Sequence, residues 1–105
     1  MSPKPGFAYI WEYHVEPEQE EAFLRLYGPD GEWAQLFRRS DGFIETQLLR
    51  DAEDPNRYVT VDYWVSGEVR GEFQEEFREP FESLDSQGEE LTRWERSIGD
   101  FDLSD

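Results

Sequence analysis

RYVTVDYWVS, residues 57–66, alternates Tyr58, Thr60, Asp62 and Trp64 with Val59, Val61, Tyr63 and Val65. Both sets carry large β-formers. The stretch reads as a central strand covered on both faces, not as a solvated edge. Ser66 then offers a helix N-cap, and Glu68 falls in the first turn, where negative charge meets the positive helix end. Beyond it Val69, Phe73, Phe77 and Phe81 recur every four residues, with Leu84 three further on. That spacing makes one apolar stripe on a helix. The unit is strand, cap, amphipathic helix.

The same unit comes earlier. EYHVEPEQEEAF (12–23) lies over DYWVSGEVRGEF (62–73) without a gap, setting Tyr13 on Tyr63, Val15 on Val65 and Phe23 on Phe73. Two such units predict an α+β, ferredoxin-like βαββαβ chain with an antiparallel sheet. The first strand spans 7–15, with Phe7, Tyr9, Trp11, Tyr13 and Val15 on one face. Pro17 and the glutamates after it open the first helix. Gly28-Pro29-Asp30-Gly31 interrupts it, and Asp30 is expected to cap a short second piece carrying Trp33, Leu36 and Phe37. Arg38 and Arg39 are expected in its last turn. Strand two spans 43–50, and DAEDPN (51–56) turns into strand three. The long helix is expected over about 67–77, with Pro80 kinking or ending it and a break near Gly88. The last strand falls within 94–103. Residues 1–6 hold two prolines and a glycine and read as a loose lead-in to one domain spanning 1–105.

A chain of 105 residues buries only about two thirds of its unfolded surface, so the core is modest. Four Trp, five Tyr and eight Phe exceed what that core needs. The surplus points to a pocket, an interface, or both. The absence of Cys excludes disulfides, thiolate metal sites and Cys nucleophiles. No apolar run approaches a membrane span, and the N-terminus lacks secretory-signal features, so the expected location is cytoplasmic. The net charge of −16 disfavours nucleic acid and anionic membranes as partners. Only Lys4 among the ten basic residues is Lys; scarce Lys with abundant acid also suits a salt-adapted source. The Glu clusters at 18–21, 72–76 and 89–90 lack the Asp-rich, Gly-containing loop of a cation site and read as solvated helix faces. No phosphate loop or nucleophile elbow is present.

LYGPDGEWAQLFRRSDGFIETQLLRD (26–51) followed by RYVTVDYWVS resembles the antibiotic biosynthesis monooxygenase domain family. The Trp-x-Ser strand end (Trp64, Val65, Ser66), the Asp-Gly-Phe start of strand two and the Leu-Leu-Arg-Asp strand exit carry the likeness. It extends over residues 7–101. The resemblance implies a dimeric α/β barrel: a homodimer in which two four-stranded sheets pack face to face, with a pocket between sheet and helices in each subunit. It also implies, among characterised relatives, oxygenases that oxidise aromatic polyketide or quinol-type molecules without metal or flavin. In that chemistry the substrate forms a carbanion that reacts directly with oxygen. A haem-degrading branch uses a strand-one Asn and a His on the second long helix. This chain has Trp11 in place of that Asn and no His after His14, which argues against haem.

The expected chemistry is cofactor-independent monooxygenation of a small planar aromatic or quinol-type substrate, with no cofactor and no metal. The alternative is a non-catalytic dimeric ligand-binding or stress-associated protein of the same fold. Candidate catalytic residues are Trp64, Tyr13 and His14. Trp64 would stack on substrate or support the core; Tyr13 would donate to an oxyanion or pack; His14 would act as base or sit at a strand end facing solvent. Tyr9, Trp11, Trp33, Phe37, Asp62 and Phe73 are the candidate pocket wall. A buried Asp62 or Glu45 with a raised pKa could act as base; otherwise either is a solvated strand residue or a salt-bridge partner. Strand alternation leaves open whether Trp64 and Trp11 share a face.

Overall fold

The structure is a computed structural model, and it describes residues 4–104. The elements are β1 (Phe7–Val15), a 3₁₀ turn (Pro17–Gln19), α1 (Glu20–Tyr27), α2 (Glu32–Phe37), β2 (Phe43–Arg50), β3 (Arg57–Trp64), α3 (Gly67–Glu76), α4 (Arg78–Glu89) and β4 (Thr92–Asp102). The sheet is antiparallel with order β2-β3-β1-β4. This is the ferredoxin-like α+β fold, and β3 lies inside it as its two-sided pattern requires. No helix among the described residues is long and apolar enough to cross a membrane.

The local signals explain most boundaries. Ser66 caps α3 by accepting from the Val69 amide at 3.1 Å. The DAEDPN turn is held by Asp51, whose carboxylate accepts from the Glu53 and Asp54 amides and from Arg57. Gly99 has φ +149 and sits beside a bulge in β4, where Ile98 is skipped between partners of Ile10 and Trp11. A strand with a Gly at its bulge still pairs, which is why Gly99-Asp100 does not end it.

Four expectations are corrected. Gly31, not Asp30, occupies the N-cap of α2, and Asp30 instead accepts from Arg38 at 2.7 Å. Arg38 and Arg39 lie past the end of α2, which stops at Phe37. The long helix breaks at Phe77, and Pro80 lies in the first turn of α4. Proline cannot donate to the carbonyl four residues back, so the helix restarts just before it. Gly88 does not break α4; it is buried against Tyr27, and a Cβ there would come within 2.0 Å of the Tyr27 hydroxyl oxygen. Of the expected lead-in, residues 1–3 lie outside the described residues. Gly6 is already tied to the sheet, donating to the Trp64 carbonyl and accepting from the Leu103 amide.

The helices cover one face of the sheet. There Phe7, Tyr13, Val15, Tyr58 and Trp64 meet Phe23, Leu26, Tyr27, Leu36, Phe37 and Phe73 in one aromatic-rich core. The other face has no cover among the described residues. Ile10, Val59, Tyr63, Leu49, Trp94 and Phe101 lie on it, and Leu49, Trp94 and Phe101 are exposed. At its centre Glu12 is 2% exposed and accepts from both Arg57 and Arg96.

Candidate active site

Strand register brings the site together. Tyr9 lies opposite Asp62 and Trp11 opposite Thr60 across β1 and β3, and Thr46 of β2 lies opposite Asp62 on the far side. Alternation therefore turns Tyr9, Trp11, Tyr13, Thr46, Thr60 and Asp62 toward the helices together. Over them α3 lays Arg70 and Gln74, α4 lays Phe81 and Asp85, and α1 and α2 supply Tyr27 and Trp33. The cavity between has a volume of about 230 Å³. That is below the ~300 Å³ at which drug-sized sites begin, so it suits a small ligand.

Two opposite charges share this cavity. Asp62 is 7% exposed, and burial lifts its carboxyl to about 6, against the lowering effects of the Thr46 hydrogen bond and the Arg70 charge. Thr46 Oγ1 donates to Asp62 at 2.7 Å. Arg70 is 3% exposed, and burial pulls its pKa down. Its guanidinium lies 4.2 Å over the Tyr9 ring and 5.3 Å from the Phe81 ring. Nη1 donates to Gln74 Oε1 at 2.7 Å, while Nε and Nη2 are buried without a partner. Trp11 Nε1 is likewise buried and unpartnered. Tyr13 and Thr60 join their hydroxyls at 3.0 Å, and burial raises the Tyr13 phenol well above its ordinary value. At neutral pH it stays protonated, so it has a proton to donate and cannot act as a base. A carboxyl pushed up to about 6, a buried cation and unsatisfied N–H donors can together accept a proton and hold developing negative charge on oxygen.

Of the candidates named from the sequence, Tyr9, Trp11, Tyr13, Trp33, Phe37 and Asp62 line the cavity. Trp64, His14 and Phe73 do not. Trp64 is fully buried, with Phe37, Phe43 and Phe73 ring centroids all within 5.4 Å. It shares the helix-facing side with Trp11 but sits at the strand end beneath α3, filled in by core. Phe73 faces the same cluster. His14 points to the uncovered side, with its ring 5.7 Å from Trp94. Period-two alternation separates it from Tyr13. Glu45 is exposed on that side as well. The internal repeat is out of phase by one: Tyr13 faces the helices and Tyr63 faces away. Arg70, Thr46, Thr60 and Glu95 are wall residues that the sequence reading missed. For Arg70 the available signal was its place one residue beyond Val69, on the edge of the apolar stripe and as the lone cation among glutamates.

The profile of the antibiotic biosynthesis monooxygenase family matches residues 7–70. The chain belongs to the antibiotic biosynthesis monooxygenase family. Its fold is similar to that of SnoaB from Streptomyces nogalater, described as a cofactor-independent oxygenase. One SnoaB structure is 18% identical, covers 97% of this chain and 96% of that one, and gives a TM-score of 0.73. A point mutant of SnoaB is 21% identical over 93% of this chain and 92% of that one, with a TM-score of 0.71. A dimeric ferredoxin-like protein from an uncultured marine organism is 17% identical, covers 98% and 91% of the two chains, and has a TM-score of 0.74. No curated protein matches the sequence significantly.

Proposed function

We propose that this protein is a cofactor-independent monooxygenase acting on a small planar aromatic or quinol-type molecule held in the helix-side cavity. The observation that carries the reading is Asp62: a carboxyl buried on the wall of an aromatic cavity, titrating near 6 and facing a buried Arg70. Family membership and the SnoaB fold support the same chemistry.

Asp62 takes a proton from an activated C–H of the substrate, leaving a carbanion delocalised into the ring oxygen. Arg70 and the Trp11 indole N–H stabilise that oxyanion. The carbanion passes one electron to O₂, and the two radicals join in a C–O bond. The peroxide takes up a proton. Loss of the second hydrogen on that carbon then breaks the O–O bond and releases water. The balance is R₂CH₂ plus O₂ to R₂C=O plus H₂O. The aromatic walls keep water from the carbanion.

The uncovered sheet face supports a homodimer. A half-exposed apolar surface of Ile10, Val59, Leu49, Trp94 and Phe101 needs a second cover, and another copy supplies a matching one. Val61→Arg on this face converts the dimer to monomer in light scattering; an unchanged mass would sink that arrangement.

Oxygen uptake by metal-free, flavin-free protein against anthrones and dihydroxynaphthalenes tests the activity. Protein-dependent uptake that falls at least tenfold in Asp62→Asn is expected. A well-folded protein with no uptake across the panel would make it a ligand-binding protein.

A further inference from the structure

The cavity carries charge at both ends, and the β1 register sets the separation. Arg70 stacks on Tyr9, which lies opposite Asp62. Glu95 lies opposite Tyr13 on the β4 side. Four residues of strand separate Tyr9 from Tyr13, about 13 Å at the usual rise. Asp85 comes down from α4 onto the same wall as Glu95, and Trp11 and Trp33 line the same cavity.

The acidic end is unbalanced. Among the described residues neither Asp85 nor Glu95 forms a salt bridge. Burial lifts Glu95 to about 6, helped by the nearby charges of Asp85 and Glu89. Burial also raises Asp85, with Glu89 and Glu82 adding to it. The other titratable groups packed here are the Tyr27 phenol of α1 and the Tyr13 phenol of β1, both raised by burial and neutral. Among the described residues no cation offsets the carboxylates. At the far end Arg70 keeps two buried nitrogens without an acceptor. A buried donor without a partner and a half-buried carboxylate pair without a cation are each unfavourable alone. One ligand satisfies both.

We infer that the cavity takes an aromatic molecule with a protonated amine at the Asp85–Glu95 end and a hydroxyl or carbonyl oxygen at the Arg70 end. This rests on the reading of the cavity as the substrate site. It narrows the substrate to amine-bearing members of the same aromatic or quinol-type class and makes Asp85 and Glu95 specificity residues.

Isothermal titration calorimetry near pH 8 uses three probes of similar shape: 6-(aminomethyl)-2-naphthol, 6-ethyl-2-naphthol and 6-hydroxy-2-naphthoate. Added salt at about 0.3 M screens the general pull of an acidic protein on cations. The amine is expected to bind about tenfold tighter than the ethyl compound, the effect of one charge-assisted hydrogen bond. The naphthoate binds weakest. The amine's advantage falls below about threefold in the double variant Asp85→Asn, Glu95→Gln, and shrinks near pH 5 in the unaltered protein. It persists in Glu18→Gln, Glu21→Gln, which removes as much charge from exposed positions. Equal binding of amine and ethyl compound overturns the inference and leaves the cavity reading intact. So does an advantage that survives the Asp85, Glu95 variant or vanishes with Glu18 and Glu21. If no probe binds the folded protein, the cavity reading falls with it.

Discussion

Thr46 and Asp62 face each other across the β2–β3 pair, and the threonine hydroxyl donates to the carboxylate at 2.7 Å. That bond orients a carboxyl whose charge is otherwise disfavoured by burial. Holding it there comes at some cost to the fold, as is expected of the base in the proposed reaction.

Asp62→Asn trades activity for stability. The carboxyl rises from 3.8 to about 6, so ionised Asp62 costs the folded state about 3 kcal/mol. The folded state binds more protons than the unfolded between those values, so this stability is lost as pH rises through the window and does not return above it. Urea unfolding near pH 8 is expected to show a gain of about 1–3 kcal/mol in the variant. Below about pH 4 the gain disappears.

If Asp62 is the base, oxygen uptake is expected to rise with pH through about 6, following its ionisation. The Arg70 charge lowers the Asp62 pKa, so Arg70→Met moves the limb to higher pH and lowers the plateau as oxyanion support is lost. A limb that stays in place separates the two groups and removes Arg70 from the site's electrostatics.

Gly88→Ala forces Tyr27 to move, because the new Cβ meets its hydroxyl oxygen at 2.0 Å and its ring at 3.0 Å. Tyr27 is buried against Phe23 and Tyr13. Thermal unfolding is expected to report a loss of about 1–3 kcal/mol from overpacking. Tyr27→Phe in the same chain restores part of it.

Glu12→Gln removes the negative charge between Arg57 and Arg96 and replaces one of the two carboxylate oxygens that accept from them with a donor. Both arginine side chains are partly exposed, at 39% and 67%, so they rehydrate. The loss is nearer about 1–2 kcal/mol than the roughly 3–5 kcal/mol of a fully buried pair. The two arginines hold the Glu12 carboxyl below its ordinary value. The contribution is thus present at neutral pH and disappears as pH falls through and below the usual carboxylate range. Denaturation curves of the two proteins should converge there.

Element order was legible because it is written in short-range periodicity. Period two in residues 57–64 and period near four from Val69 to Phe81 depend on backbone geometry alone. The Ser66 cap needs only its own hydroxyl and an amide three residues on. Errors fell where a neighbour overrides local preference: Gly88 looks like a breaker until Tyr27 fills the space of its side chain. Two-residue alternation also grouped Tyr9 with Trp11 and Tyr13, and Asp62 with Trp64. Which group faces the helices was beyond it, because alternation distinguishes two faces without saying what covers each.

By itself, then, the sequence determined the βαββαβ order, the family and an aromatic surplus in need of a place. Tertiary structure alone decided that Asp62 is buried with a carboxyl pushed up to about 6, that Arg70 is buried in the same cavity, and that Asp85 and Glu95 share it. The physical reason is desolvation. A carboxyl's affinity for its proton depends on how much water and which charges surround it, and groups on separate strands and helices come together only when the sheet pairs and the helices close over it.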